Sequence, residues 1–179
     1  MNPENPFDQV TAVLAPWARW SKLEQPNVLE VSISRHHLLD CVKALREAGW
    51  GYLSAITGMH IPGVEVTTTV EKQWDRLNQE GELSYRPPLT PDSFLVLYHF
   101  CEGNLVLNLR VHPPSLEDSN VPTLSGIYPV AGIYERELQE MFGIVVDDIP
   151  DPARFLLPED WPEGVYPLRK DFTGLPDEK

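Results

Sequence analysis

Apolar positions along the chain change period several times, and each change marks an element. Phe7, Val10, Val13 and Leu14 recur at helical spacing, and Pro16 ends that short first helix. Leu29, Val31 and Ile33 then alternate with Val28, Glu30 and Ser32, which predicts a strand with one apolar face. Ser34 is placed to cap the helix that follows. Leu38, Val42 and Leu45 form its apolar stripe, widened by Leu39, and Gly49 suits its C′ position. Two strands are predicted next, Tyr52–Ile56 and Val64–Val70, around a turn at Pro62 and Gly63. Residues 72–92 are polar and broken by Pro87, Pro88 and Pro91, the pattern of a surface excursion. Phe94–Cys101 and Leu105–His112 flank Glu102-Gly103-Asn104 and predict a hairpin.

A last helix is predicted from Val130, with Val130, Ile133, Tyr134, Leu138, Met141 and Phe142 on one face and Gly143 as its stop. Arg136 and Glu140 stand one turn apart, a pairing worth ~0.3 kcal/mol on a helix surface. Glu137 is one turn from both Ile133 and Met141, at the edge of the stripe. A carboxylate there lies in water at the rim or is buried with a cation, because an unpaired buried charge costs several kcal/mol. This order of elements predicts an α+β fold, a two-layer domain with a mixed β-sheet and helices on one face. The domain spans residues 1–143.

Residues 144–179 differ in kind. Pro150, Pro152, Pro158, Pro162, Pro167 and Pro176 exclude a helix or an interior strand. Phe155, Leu156, Leu157, Trp161, Val165, Tyr166, Leu168 and Phe172 make the segment too apolar for a solvated linker. Such an extended, proline-rich tail buries its side chains by folding back on its own domain or by lying along another subunit.

Composition narrows the function. The net charge of −13 over 179 residues repels phosphate backbones, so no nucleic-acid partner is expected. The start, MNPENPFDQV, lacks the basic and apolar regions of a signal peptide, and no apolar run is long enough for a direct membrane span. Cys41 and Cys101 stand alone, without the ligand spacing of a zinc or iron–sulfur site. His36 and His37 point different ways at a helix start. His99 and His112, in neighbouring strands, could approach each other, but with no third ligand nearby satisfied or surface histidines are the expectation. No nucleophile, zinc-protease, phosphate-loop or dinucleotide motif occurs. Asp147, Asp148 and Asp151, like Glu159 and Asp160, lack calcium-loop spacing and read as solvated surface.

The run Glu135-Arg136-Glu137, two residues, Glu140, two hydrophobics, then Gly143-Ile144 resembles the signature of the C, or thirty-kilodalton, subunit of bacterial NADH:quinone oxidoreductase (complex I). Pro150-Asp151, Leu156-Leu157-Pro158, Asp160-Trp161 and Pro167-Leu168-Arg169-Lys170-Asp171-Phe172 continue the match. Ile149 stands where that family usually has His. The stretch Pro158 to Pro167 also resembles the homologous subunit of energy-converting membrane-bound [NiFe] hydrogenases. The resemblance implies a non-catalytic structural subunit, supporting a large quinone-site or hydrogenase-type subunit in electron transfer coupled to ion translocation. It implies no cofactor in this chain, with flavin and iron–sulfur clusters in partner subunits, and a peripheral place on the cytoplasmic side of the membrane. By the same analogy Glu135, Arg136, Glu137 and Glu140 belong to a structural ion-pair network whose partners are Arg154, Arg169 or Lys170 of the tail, or charges on the neighbouring subunit. Phe155, Leu156, Trp161, Tyr166, Leu168 and Phe172 are then the partner-binding side chains of the tail. The competing expectations are a small free-standing enzyme using acids near Glu135–Glu137 and a stand-alone binding module whose tail packs on itself.

Overall fold

The structure, a computed structural model, describes residues 6–63 and 92–175. The expected Val64–Val70 strand and nearly all of the 72–92 excursion lie outside those residues. Helix α1 (Asp8–Leu14) is followed by strands β1 (Trp20–Gln25) and β2 (Val28–Ile33). A 3₁₀ turn at Arg35–His37 leads into α2 (Leu38–Glu47). Strands β3 (Tyr52–Ile61), β4 (Ser93–Glu102) and β5 (Leu105–Val111) come next. Then come β6 (Val121–Pro122), α3 (Ala131–Phe142) and β7 (Val146–Asp147).

The main sheet has the order β1-β2-β5-β4-β3 and is mixed. β2 and β5 run parallel in register, Val28 opposite Val106 through Ile33 opposite Val111, and the other neighbours are antiparallel. The chain leaves β2 through α2, crosses to the far edge at β3, and returns through β4 to β5. Gly103, at φ +58°, makes the two-residue turn between β4 and β5. β1 is an edge strand, paired to β2 alone, exposed at every residue, with a register irregularity between Leu23 and Gln25.

Cross-strand pairing fixes which side chains share a face. Leu29, Val31 and Ile33 line up with Leu107, Leu109 and Val111, and these continue to Phe100, Tyr98 and Val96. Leu53, Ile56 and Gly58 of β3 complete that face. The three helices bury their stripes in the same core, through Val10 and Leu14, through Leu38, Cys41, Val42 and Leu45, and through Ala131, Leu138 and Phe142. The opposite face is polar: Arg110 pairs with Glu30 at 2.7 Å, and His99 bonds Asn108 at 2.8 Å. His99 meets Asn108 and Thr57, a satisfied histidine rather than half of a pair with His112.

Three local expectations need correction. Ser34 precedes the 3₁₀ turn without a side-chain capping bond, so α2 starts three residues later, at Leu38. β3 runs on past Ile56 to Ile61, through Gly58. A Cβ at Gly58 would lie 2.8 Å from Leu138 Cδ2 and Phe142 Cδ2, so the glycine is what lets α3 lie against the strand. Past Gly143 the core continues, since Ile144 and Val146 are buried and β7 runs parallel to β6.

Candidate functional site

α3 buries Ala131, Glu135, Leu138 and Phe142, a 4-3-4 spacing rotated from the expected stripe. Ile133 and Val130 consequently face outward. The buried acid of the signature is thus Glu135, while Glu137 is half-buried. Glu135 is 1% exposed, and its carboxylate takes neutral donors, not a cation: Thr123 Oγ1 donates to Oε2 at 2.6 Å and the Leu124 N–H to Oε1 at 2.5 Å. Thr123 Oγ1 accepts in turn from the Ser125 N–H at 3.1 Å. Burial raises the Glu135 carboxyl above its ordinary range, and the bonds from Thr123 and Leu124 oppose that shift in part. Glu135 so ties α3 to the 123–125 loop, joining two parts of the fold that no sequence spacing connects.

The other signature residues hold residues 150–175, which contain no helix or strand. Glu140 accepts three successive backbone N–H groups, from Phe155, Leu156 and Leu157, at 2.6, 2.9 and 2.6 Å. That is an anion nest with a carboxylate inside it. Arg136 pairs with Asp151 at 3.3 Å and lies over the Phe155 ring at 4.7 Å. The weak Arg136–Glu140 pair expected on the helix surface is replaced by these two separate engagements with the tail. Arg154 Nη1 donates to the carbonyls of Trp161 (2.7 Å) and Pro158 (3.0 Å), and Trp161 Nε1 to that of Val165 (2.9 Å).

Further on, the chain crosses the C-terminal end of α3. Arg169 Nε donates to the Phe142 carbonyl at 2.5 Å, and its guanidinium lies over Tyr166 and Phe94 at 4.2 and 5.3 Å. This places a cation at the negative end of the helix dipole. The Leu168 N–H donates to the Met141 carbonyl at 3.1 Å. The Lys170 N–H donates to His60 Nδ1 at 2.9 Å. Gly143, at φ +70°, ends α3 and lies against Tyr166 and Arg169. Among the described residues, therefore, carboxylate–cation pairs do not join Glu135, Glu137 or Glu140 to Arg154, Arg169 or Lys170. Backbone amides and carbonyls take their place, because the prolines leave so many tail N–H and C=O groups outside any ladder. Trp161, Tyr166 and Phe172 are half-buried, while Phe155, Leu156 and Leu168 stay exposed.

Among the described residues no group of three or more His, Cys, Asp or Glu could hold a metal ion, and no helix among them is long and apolar enough to cross a membrane. What the residues build is a scaffold with a strapped segment and a partly uncovered apolar surface.

Solved structures share this fold, two of them as follows. A chain in the membrane-bound sulfane sulfur reductase, an archaeal respiratory membrane complex, aligns over 91% of this chain and 82% of its own, with TM-score 0.54 and 23% identity. The trypsin-resistant fragment of Nqo5 aligns over 84% of this chain and 99% of its own, with TM-score 0.53 and 21% identity. At such identities the likeness speaks for the fold alone. Sequence settles the family: residues 31–178 match the 30 Kd subunit of respiratory-chain NADH dehydrogenase, and the chain belongs to that family. The beta subunit of the membrane-bound hydrogenase of Pyrococcus furiosus is 30% identical over 148 residues, 83% of this chain and 72% of that relative. The C subunit of the NADH-quinone oxidoreductase of Rhizobium rhizogenes is 41% identical over 90 residues. That alignment covers 49% of this chain and 44% of the Rhizobium protein, so the chain spans less than half of that relative.

Proposed function

We propose that this chain is a non-catalytic structural subunit of the cytoplasmic arm of a complex I-like respiratory NADH:quinone oxidoreductase. In that role it supports the large quinone-site subunit during electron transfer coupled to ion translocation. Flavin and iron–sulfur clusters belong to its partners, and so does its hold on the membrane. The observation that carries the reading is the uncovered apolar surface on the signature-bearing part. Ile133 on α3 is 43% exposed, and Phe155, Leu156 and Leu168 beyond it are each about half exposed. Large apolar side chains left exposed on a segment strapped to the domain are available to a partner, and aromatic and aliphatic anchors buried on association dominate interface energy.

A second reading is the equivalent subunit of an energy-converting membrane-bound [NiFe] hydrogenase. It is favoured by the length of the match to the Pyrococcus protein. Affinity capture of the tagged chain from gently solubilised native membranes tests both. Recovery of a large subunit with iron–sulfur partners and quinone-reductase activity supports the first reading, and hydrogenase activity supports the second. Return of the chain alone from the soluble fraction would sink both and favour a self-packed binding module. Arg169→Ala, which removes the contacts to Phe142, Tyr166 and Phe94, is expected to lower recovery of the large subunit severalfold. Unchanged recovery and turnover would remove Arg169 from the anchoring set.

A further inference from the structure

We propose that His60 is a proton-sensitive latch for the C-terminal segment: its neutral ring holds the Lys170 amide, and protonating Nδ1 releases residues 166–172. His60 sits near the end of β3 with its side chain 1% exposed. Nε2 lies 3.1 Å from Asp92 Oδ2, and Nδ1 lies 2.9 Å from the Lys170 backbone nitrogen. A backbone N–H can only donate, so Nδ1 is the bare acceptor and Nε2 carries the proton given to Asp92. Asp92 is fixed in turn, because Oδ1 accepts the Gly63 N–H at 2.7 Å. That bond, and then the one from His60, hold the Asp92 carboxyl below its ordinary range. An ionised carboxylate only accepts, which locks the tautomer that leaves Nδ1 open to the tail.

Adding a proton makes both ring nitrogens donors. Nδ1–H then confronts the Lys170 N–H, donor against donor, at a side chain sealed from water. The bond to Asp92 strengthens on charging, so the imidazolium keeps that partner and the tail is the group that leaves. The charged groups around the ring act in the same sense. Asp92, before β4, holds the cation in place. From the tail, Lys170 approaches through its amide, and the Arg169 guanidinium lies over Phe94, whose ring is 5.7 Å from His60. α3 brings Phe142, an uncharged ring, against Phe94. Positive charge on His60 therefore repels Arg169 as well as removing an acceptor. One histidine thus couples the Gly63–Asp92 clasp at the end of the sheet to the segment that carries Tyr166 and Leu168. The latch stands whatever partner that segment meets.

Amide hydrogen exchange on the full chain, corrected for intrinsic rates, tests this at Leu168 and Lys170. A titration from about pH 8 to about pH 5 crosses the range in which histidine side chains change charge. The wild-type chain is expected to lose protection at these amides about tenfold at the acid end, the scale of one lost hydrogen bond. His60→Asn sets Oδ1 where Nδ1 stands, so it accepts from Lys170 and cannot take up a proton. It is expected to stay protected across the whole range. His60→Leu offers no acceptor and is expected to show weak, pH-independent protection, with the amides of β4 as the control for folding. Identical pH profiles for wild type and His60→Asn would overturn the latch, even if the leucine variant failed to fold. So would full protection of Lys170 in a folded leucine variant.

Discussion

At the scale of single residues, Glu135 shows how one buried carboxylate shapes stability. Its folded-state carboxyl lies above the ordinary glutamate value of 4.5. The folded chain therefore holds that proton more tightly than the unfolded chain does. The associated stability is fully present below 4.5 and is lost as pH rises through the raised value. Glu135→Gln should lack this component, so the difference in Tm between the variant and wild type is expected to change as pH rises from 4.5 through the raised value and to level off above it. A difference that stayed flat with pH would contradict the assignment. Glu135→Ala should cost about 1–3 kcal/mol in denaturant unfolding, because the Leu124 N–H and the Thr123 hydroxyl lose their acceptor inside the core. The sequence marks Glu137 as the odd acid on this helix, and it lies half-buried at the rim, while the buried acid, Glu135, escapes that pattern. Apolar spacing singles out Glu137, since it treats Val130, Ile133 and Met141 as core, whereas packing against Gly58 turns Glu135 inward. The donors at Thr123 and Leu124 come from a loop, and helical periodicity holds no record of them.

At the scale of elements, glycines separate backbone strain from crowding. Gly49 and Gly143 both follow helices at positive φ, +65° and +70°. A Cβ at Gly49 meets nothing within 4 Å, so Gly49→Ala is expected to cost only the left-handed penalty, about 1 kcal/mol. At Gly143 the added carbon would stand 2.6 Å from Tyr166 Cε2 and 2.7 Å from Arg169 Nη2. Gly143→Ala should cost more than Gly49→Ala and should also loosen residues 166–169, visible as faster amide exchange there. Equal costs, with exchange unchanged, would mean that the Tyr166 stacking contributes little. Local pattern reveals β2, α2, the β4–β5 hairpin and the existence of α3, because each carries its own period or turn signal. It passes over β1, whose residues Trp20 to Gln25 are all exposed and do not alternate. It ends β3 early, at Ile56, although the strand runs on through Gly58, the residue that lets α3 lie against it. The parallel β2–β5 pairing joins strands far apart in sequence, and no local signal specifies it.

At the scale of the whole molecule, the tail is neither free nor fully buried. Its backbone is strapped to α3 while Phe155, Leu156 and Leu168 remain uncovered. The strap gives the segment its shape before any partner arrives, which lowers the ordering cost of association. Leu168→Glu keeps the backbone contacts and adds a charge to the uncovered surface. It is expected to leave stability within about 0.5 kcal/mol of wild type, as surface changes usually do, while reducing capture of the large subunit that the proposed function assigns as its partner. Normal capture by a normally folded variant would place the interface elsewhere. The opposite end of the sheet has a separate consequence, for solubility. β1 leaves an open row of backbone donors and acceptors, the usual template for runaway strand addition between molecules. The Leu23–Gln25 irregularity interrupts its flatness, and Lys22 and Glu24, paired at 2.7 Å, set charge along it. Replacing Lys22 and Glu24 together by valine would leave the core untouched yet extend Trp20 into a greasy row along one face of an unguarded border. Such a chain is expected to unfold at nearly the same temperature and to form thioflavin-positive fibrils on storage, where the natural sequence stays clear.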